Sequence, residues 1–127
     1  MRYMLLMVGV PADDEQADPA GTASVAETAA EDEPRWMPWF REMTARGVTL
    51  VEGGRLQRAS TATTVELLNS EVLLSDGPFA ETKEQILGYH IIDVADLDEA
   101  VYVASRHPVV TSGGRIEVRP MLVQTEP

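Results

Sequence analysis

His90 is the side chain best suited to acid–base chemistry in this 127-residue chain. Imidazole is the one side chain whose unperturbed pKa lies near neutrality, so a histidine can take up and release a proton under ordinary conditions. His90 follows Tyr89 in the middle of a long apolar run, where the sequence predicts a strand. Two interpretations stay open: a catalytic general acid or base in a cleft, or a half-buried histidine hydrogen-bonded to a neighbour.

Charged residues gather in the segment 76–85, whose sequence is DGPFAETKEQ. A proline with a locked φ follows a glycine, and Asp76 can accept backbone hydrogen bonds, so the segment predicts a rigid turn that leads into a strand. Such a turn can present Asp76, Lys83 and Glu84 to a bound acid. Asp76 is therefore a second candidate catalytic residue, and the other two are candidate binding residues. The alternative is a structural turn cap with an ion pair that closes the loop.

Glu117 and Arg119 form a third candidate group. They are two residues apart in a predicted strand, so their side chains share one face. Arg119 can recognise a carboxylate, with Glu117 as its orienting partner, although cross-strand pairing is the commoner outcome. Together with Tyr89, Lys83 and Glu84, these two residues complete the predicted substrate-binding set.

Composition excludes several other kinds of chemistry. The chain has no cysteine, which removes disulfides, thiolate nucleophiles and cysteine-ligated zinc. Its two histidines are 17 residues apart, and neither they nor the carboxylates show the spacing of a metal site. The glycine pairs lack the strand, glycine frame and helix of a nucleotide-binding fingerprint. We therefore expect no metal and no organic cofactor.

The net charge of −11 is concentrated in one segment, because residues 11–34 carry eight acids and no base. The rest of the chain is close to balanced, which argues against a nucleic-acid surface and against binding to an anionic membrane. The apolar run 3–10 is too short to span a membrane and makes a poor signal peptide, so we expect a cytoplasmic protein. The chain reads as a single domain, 1–127, with a flexible acidic loop at 11–33.

Hydrophobic periodicity predicts the strands and one hairpin. Strands are predicted at 2–10, 48–51, 63–68, 71–75, 86–94 and 115–119. The third and fourth are separated by Asn69 and Ser70, which is the spacing of a two-residue hairpin. The first and fifth are apolar on both faces and therefore central, and Gly88 in the fifth marks a bulge or a close backbone approach. Pro120 confines the last strand to an edge or terminus.

Two helices complete the pattern. The first begins at Met37 or Pro38, and the second begins at a capping box headed by Asp96 and stops at Pro108. Helical spacing predicts these buried residues: Trp36, Phe40 and Met43 in the first helix, and Leu97, Ala100, Val101 and Ala104 in the second. His107, just before the stop, is interpreted as offsetting the negative end of the second helix.

The order of elements is strand, helix, strand, hairpin, strand, helix, strand. This order is typical of a ferredoxin-like α+β fold, in which two helices cover one face of an antiparallel sheet. The other face still carries residues of apolar strands and needs a cover, most simply a second copy of the chain. We therefore predict a homodimer.

Several motifs, in order along the chain, resemble the YCII-related family, whose members are also called DGPF proteins. The resemblance is carried by residues 1–6, 53–56, 76–84, 88–89, 96–100 and 116–120. It implies a dimeric α+β barrel, in which two ferredoxin-like sheets meet face to face and enclose a cavity or flanking clefts. One branch of the family is proposed to use a histidine and an aspartate. This chain departs from that arrangement, because its first predicted helix has no histidine and the expected Asp-Pro pair reads His107-Pro108.

These observations lead to two hypotheses about function. The first is a dimer that binds a small acidic or aromatic metabolite in a cleft lined by His90, Tyr89, Asp76, Lys83 and Arg119. As an enzyme it would be a cofactor-independent lyase or isomerase, with His90 as the base and Arg119 or Lys83 holding the anion. The second, also implied by the resemblance, is a non-catalytic regulatory or protein-interaction module associated with an alternative sigma factor.

Overall fold

The computed structural model describes residues 1–10, 35–78 and 84–123. The elements, in chain order, are β1 (Arg2–Gly9), α1 (Met37–Ala45), β2 (Thr49–Arg55), a short 3-10 turn (Ala59–Thr61), β3 (Thr63–Leu68), β4 (Glu71–Asp76), β5 (Gln85–Asp93), α2 (Leu97–Ser105), α3 (Pro108–Thr111) and β6 (Arg115–Pro120). The predicted acidic loop 11–33 and residues 79–83 of the DGPF segment lie outside the described residues.

Four strands form one antiparallel sheet in the order β2-β5-β1-β6. This is the strand order of a ferredoxin-like fold with a hairpin inserted between its second and third strands, and it confirms the predicted α+β fold class. The apolar strands β1 and β5 take the two central positions, as their composition predicted. The strand that ends in Pro120 lies at the edge of the sheet. Proline has no N–H group, and at an edge its absence removes no hydrogen bond between strands.

The inserted hairpin β3–β4 forms a separate two-stranded sheet. Asn69 and Ser70 have φ angles of 49° and 66°. A two-residue hairpin loop of the primed type needs positive φ at both positions, so the predicted turn is confirmed.

Gly88 marks a close approach between β5 and its neighbours, as predicted. A Cβ at this position would lie 2.6 Å from the carbonyl oxygen of Gly54 and 2.8 Å from the side chain of Met7. The register of β1 against β5 also shifts between Met7 and Val8. Only glycine at this position leaves room for both the Gly54 carbonyl group and the Met7 side chain.

α1 and α2 pack on one face of the main sheet and close the core. The buried residues of this core are Tyr3, Leu5, Trp39, Met43, Val48, Ile92, Val94, Ala100, Val103 and Ala104. The indole Nε1 of Trp39 donates a hydrogen bond of 2.9 Å to the carbonyl oxygen of Val103, which ties α1 to α2. A buried indole needs such a partner for its N–H group.

The buried face of α1 differs from the predicted one. Trp39 and Met43 are buried, whereas Phe40 is 38% exposed. Trp36 precedes the helix, which begins at Met37 as predicted, and its ring packs edge-on against Phe40 with centroids 5.8 Å apart. Both apolar stripes satisfy helical spacing, and the buried stripe is the one whose Trp39 indole hydrogen-bonds to α2.

α2 begins at the predicted cap but buries a rotated face. The Asp96 carboxylate accepts a hydrogen bond of 2.9 Å from the amide of Glu99. The buried residues of α2 are Ala100, Val103 and Ala104. Leu97 and Val101, which were predicted to face the core, are 51% and 50% exposed. Small alanines on the inner face allow the helix backbone to approach the sheet closely, and the larger side chains are left at the rim.

The interpretation of His107 was wrong, and the interpretation of Pro108 was incomplete. α2 ends at Ser105, but Pro108 also begins a further short helix, α3, where a proline fits the first turn because its missing N–H would have no partner. His107 caps α3: its Nδ1 accepts a hydrogen bond of 3.1 Å from the amide of Val109. His107 is fully buried, so it is a core residue and not a solvated charge at the end of α2.

Candidate functional site

A cleft of about 450 Å³ opens at one end of the main sheet, where β1 ends, β5 begins and α3 leads into β6. Val8, Leu87 and Val109 supply apolar wall, and Glu84 and Arg115 supply charge. The volume lies within the range of small-molecule sites, which are mostly apolar with a few placed polar groups. The cleft is therefore suited to a small ligand with one charged end.

The turn between α3 and β6 places Arg115 at the cleft. The amide of Gly114 donates a hydrogen bond of 2.7 Å to the carbonyl oxygen of Val109. A Cβ at Gly114 would lie 2.8 Å from that same oxygen, and Gly113 has a φ of 101°, so both positions favour glycine. The turn is tight for these reasons, and Arg115 follows it directly as the first residue of β6.

Arg115 and Glu84 form an ion pair at the cleft. Their side chains are 68% and 45% exposed, and an ion pair with that exposure contributes only about 0–1 kcal/mol. A carboxylate from a ligand can therefore take the place of Glu84 on the guanidinium at little cost. Glu84 was a predicted binding residue, whereas Arg115 was not singled out. Lys83, which precedes Glu84 in the sequence, lies outside the described residues.

A second cluster lies between the sheet and the helices, where Trp39, His90 and His107 pack ring against ring. The ring centroids are 4.8 Å apart for Trp39 and His90, 4.7 Å for Trp39 and His107, and 5.3 Å for the two histidines. Sequence reasoning identified His90 but gave His107 another role. The two histidines lie in different elements, and only the packing of α1 and α2 on the sheet brings them together.

Both histidines are neutral at physiological pH. Burial lowers the pKa of His90 to about 4. Burial, and to a lesser extent the neighbouring His90, lowers the pKa of His107 to about 3. Because His107 Nδ1 accepts the Val109 amide, we assign the proton of its neutral ring to Nε2. Neither histidine has a hydrogen-bond partner for Nε2 within the described part of the chain.

Gly53 leaves the space that the His90 ring occupies. It faces His90 across the β2–β5 pair. A Cβ on Gly53 would lie 2.4 Å from His90 Nδ1, closer than real Cβ atoms approach other atoms. The adjacent Gly54 has no such restriction, because its nearest neighbour would be the Tyr89 ring at 3.6 Å. Of the two glycines, Gly53 is therefore the one that must lack a Cβ for the His90 ring to fit.

The face of the sheet opposite the helices carries the remaining strand candidates. We call Met4, Leu6, Tyr89 and Ile91 the open face; strand pairing places Leu6 beside Tyr89 and Met4 beside Ile91. The Tyr89 hydroxyl donates a hydrogen bond of 2.9 Å to Glu52, and this bond raises the pKa of Tyr89.

On the edge strand β6, Arg119 and Glu117 form an ion pair at 3.1 Å along the same strand. Their side chains are 68% and 52% exposed. The pairing of β1 with β6 places Arg119 beside Met4 and Glu117 beside Leu6. The two residues that were expected to share a strand face therefore do so, at the border of the open face.

Asp76 ends β4 and is exposed at the base of the hairpin. The hydrogen bonds that close this base come from its neighbours: the Gly77 amide donates to the Ala62 carbonyl at 2.7 Å, and the Thr64 hydroxyl donates to the Gly77 carbonyl at 2.8 Å. Asp76 thus lies next to the turn, as expected.

The predicted site residues do not meet in one place. Tyr89 and His90 are consecutive in a strand, so their side chains point to opposite faces of the sheet. Glu117 and Arg119 lie with Tyr89, Glu84 lies at the cleft, and Asp76 lies at the hairpin. The residue that sequence reasoning missed at the cleft is Arg115, and the available signal was its position two residues before Glu117 in an alternating strand.

Within residues 1–10, 35–78 and 84–123, no group of three or more histidines and carboxylates is placed to hold a metal ion. In the same ranges no helix combines the length and apolar character that a bilayer crossing needs.

The fold and the cleft define an α+β protein of ferredoxin-like topology, with a charged cleft that borders its DGPF segment. The model of the YCII-related domain matches residues 1–123, and the chain belongs to this family. The chain is also similar to an uncharacterized protein of Rhizobium meliloti (strain 1021). The two are 39% identical over 89 residues, which cover 65% of this chain and 72% of that protein.

Proposed function

We propose that this YCII-family chain is a cytoplasmic protein that binds a small organic acid in the cleft, with Arg115 receiving the carboxylate of the ligand. The observation that carries the proposal is an apolar cleft of about 450 Å³ charged by one arginine and its carboxylate partner. The planar guanidinium holds a carboxylate through two parallel hydrogen bonds, and the apolar wall accepts an aliphatic or aromatic body.

The ligand exchanges one carboxylate for another on Arg115. Glu84 holds the guanidinium in an exposed ion pair, so the ligand gains the same interaction and adds contact with Val8, Leu87 and Val109. The preference for an apolar body follows from this second contribution, because the exchange of carboxylates is close to neutral. We propose Lys83, the sequence neighbour of Glu84, as a second cation for the acid.

A panel of small aliphatic and aromatic carboxylic acids, titrated by calorimetry into the purified protein, tests this proposal. The native chain should bind at least one acid, and Arg115→Gln should weaken that binding by about tenfold or more. Arg119→Gln is the matched control, since it removes the same charge from the same strand and should leave the affinity unchanged. Equal losses in both variants, or binding that survives Arg115→Gln, would contradict the proposed site.

Proton transfer by the two histidines is a second candidate function, favoured by their unpartnered Nε2 atoms. His107 Nε2 carries a proton and can donate to a ligand oxygen, as neutral imidazole does when it polarises a carbonyl. His90 Nε2 can accept a proton in its other neutral tautomer, and an anionic ligand nearby would raise the low pKa of His90. Both Nε2 atoms are buried and neither histidine lines the cleft, so this lyase or isomerase reaction requires a ligand that enters between the sheet and the helices.

Solvent deuterium exchange into bound acids, followed by nuclear magnetic resonance, tests the second candidate. His90→Asn should abolish exchange at the carbon next to the carboxyl group and leave binding in the cleft intact. Exchange that persists in His90→Asn would remove His90 as the base.

We also propose that the protein is a homodimer whose two open faces meet. The competing proposal is the non-catalytic interaction module, including association with an alternative sigma factor. The interaction-module hypothesis predicts no saturable binding of any acid, so the same titration distinguishes it from the acid-binding proposal.

A further inference from the structure

The β3–β4 hairpin has little support from the rest of the described chain. Its strands pair with each other from Thr63 and Asp76 to Leu68 and Glu71. No other described element makes more than isolated contacts with it. A two-stranded hairpin by itself is only marginally stable in water, and a third layer or strand is needed to hold it.

One face of this hairpin carries four exposed apolar side chains, beyond the pair Thr63 and Asp76 at its base. The pairing sets Val65 opposite Leu74 and Leu67 opposite Val72, so these four side chains share a face. We call them the hairpin face; they are 63%, 68%, 71% and 65% exposed in that order. A contiguous exposed apolar patch of this kind marks an interaction surface.

The other face of the hairpin is of mixed character. Glu66 pairs with Leu73, and Leu68 pairs with Glu71. Two of the three pairs on that face therefore combine one carboxylate with one leucine, and the third pairs Thr64 with Ser75. The hairpin face is therefore the more apolar of the two, because its four apolar side chains pair only with one another.

The four side chains of the open face expose only part of their surface in the single chain. Ile91 is only 9% exposed in the single chain, and Met4, Leu6 and Tyr89 are already partly buried. A stable interface buries about 800 Å² per partner, so these four side chains leave a large share to be found elsewhere. The hairpin face holds four of the most exposed large apolar side chains of the described residues.

We propose that the hairpin face docks on a second copy of this chain, as an arm that completes the dimer formed through the open faces. The inference rests on the proposed homodimer. A chain of net charge −11 repels its copy, and the four side chains of the hairpin face are uncharged, with Asp76 at the hairpin base as the one carboxylate on that side of the hairpin. In a two-fold dimer the arm acts twice, because each copy offers the same surface to the other.

The hairpin is anchored and long enough to act as an arm. Its base is fixed by the hydrogen bond from Gly77 to Ala62 and by the Gln85 side chain, which accepts from the Ala59 amide at 3.0 Å. Gln85 begins β5, a strand that carries part of the open face. Six-residue strands extend about 20 Å, which is twice the spacing of about 10 Å between packed sheets. A second copy on the open face lies within that reach.

Sedimentation velocity of matched variants tests the arm. Leu67→Thr with Val72→Thr removes two side chains of the hairpin face and keeps a high strand propensity. Leu68→Thr with Leu73→Thr is the control, which removes two leucines from the opposite face. The native chain and the control should dimerise with dissociation constants within about threefold of each other, and the hairpin-face variant should dimerise at least about tenfold more weakly.

The possible results distinguish docking of the hairpin face from formation of the dimer through the open faces. A native dimer with equal dissociation constants in both variants would overturn the arm and leave the open-face dimer in place. A native chain that stays monomeric would overturn both, and the hairpin face would then belong to a different partner. Neither result bears on acid binding, which the cleft provides within one chain.

Hydrogen exchange of the native chain keeps the test valid if a variant does not fold. Backbone amides of β3 and β4 should exchange more slowly as the dimer fraction rises through a dilution series, because docking shields a hairpin that is otherwise exposed. Exchange of these amides that is independent of protein concentration would overturn the arm.

Discussion

Acidification from about pH 8 to about pH 5 should destabilise the folded chain through His107, which is fully buried, and His90, which is half-buried. In the unfolded chain a histidine has a pKa of 6.5, whereas folding lowers the pKa of His90 to about 4 and that of His107 to about 3. Between these values the unfolded state binds more protons than the folded state, so the free energy of unfolding falls as the pH falls. Their contribution to stability is present above pH 6.5 and is lost progressively below it.

The magnitude near pH 5 depends mainly on the unfolded state. This pH lies about 1.5 units below the unfolded pKa and above both folded pKa values, so each histidine costs about 2 kcal/mol there. The two together should lower the free energy of unfolding by about 4 kcal/mol, which is a large part of the stability of a domain of this size.

Urea unfolding followed by tryptophan fluorescence measures this change, because Trp39 contacts both imidazole rings. The native chain is compared with His90→Leu, which keeps an apolar side chain and cannot take up a proton. Between the two pH values, the free energy of unfolding should fall by about 2 kcal/mol less in the variant than in the native chain. A fall of the same size in both proteins, or no fall in the native chain, would refute the burial of His90 as the cause.

Two further predictions concern packing and helix capping. Gly53→Ala should cost about 1–3 kcal/mol of unfolding free energy, since its Cβ would meet His90 Nδ1 at 2.4 Å, whereas Gly54→Ala should be tolerated because its nearest contact is 3.6 Å. Thermal unfolding of the pair checks this, and equal melting temperatures would contradict the predicted crowding. Asp96→Ala should cost about 1 kcal/mol through the lost hydrogen bond to the Glu99 amide, and Asp96→Ser should restore most of it. A loss in the serine variant as large as in the alanine variant would show that the cap is not the source.

Much of the fold was predictable because it depends on neighbours in sequence. Asn69 and Ser70 adopt the positive φ angles of a hairpin loop, and Asp96 caps α2, through interactions that span only a few residues. Apolar residues on both alternating sets predicted the central position of β1 and β5. The rotation of the helices was not predictable in this way, because α1 has two apolar stripes and the contact of Trp39 with Val103 involves residues 64 positions apart.

The candidate site was predicted only in part, and for a similar reason. Glu84 was singled out for its type and its place beside the DGPF segment, and it lies at the cleft. Its partner Arg115 comes from a different strand, and nothing near Glu84 in the sequence indicates that pairing. The alternation of strand side chains was sufficient to separate Tyr89 from His90, and applying it strictly would have divided the predicted cleft into two.

Amino-acid order alone determined the family, the order of the strands and of the two longer helices, the hairpin turn and the cap of α2. These features follow from backbone preferences and hydrogen bonds between residues close in the chain, which a linear pattern records. Tertiary structure alone decided that His90, His107 and Trp39 pack in one cluster, that Arg115 reaches Glu84, and that the described residues leave the hairpin face uncovered. Contacts of that kind depend on strand register and helix rotation, which are settled only when close packing rules out the alternative arrangements.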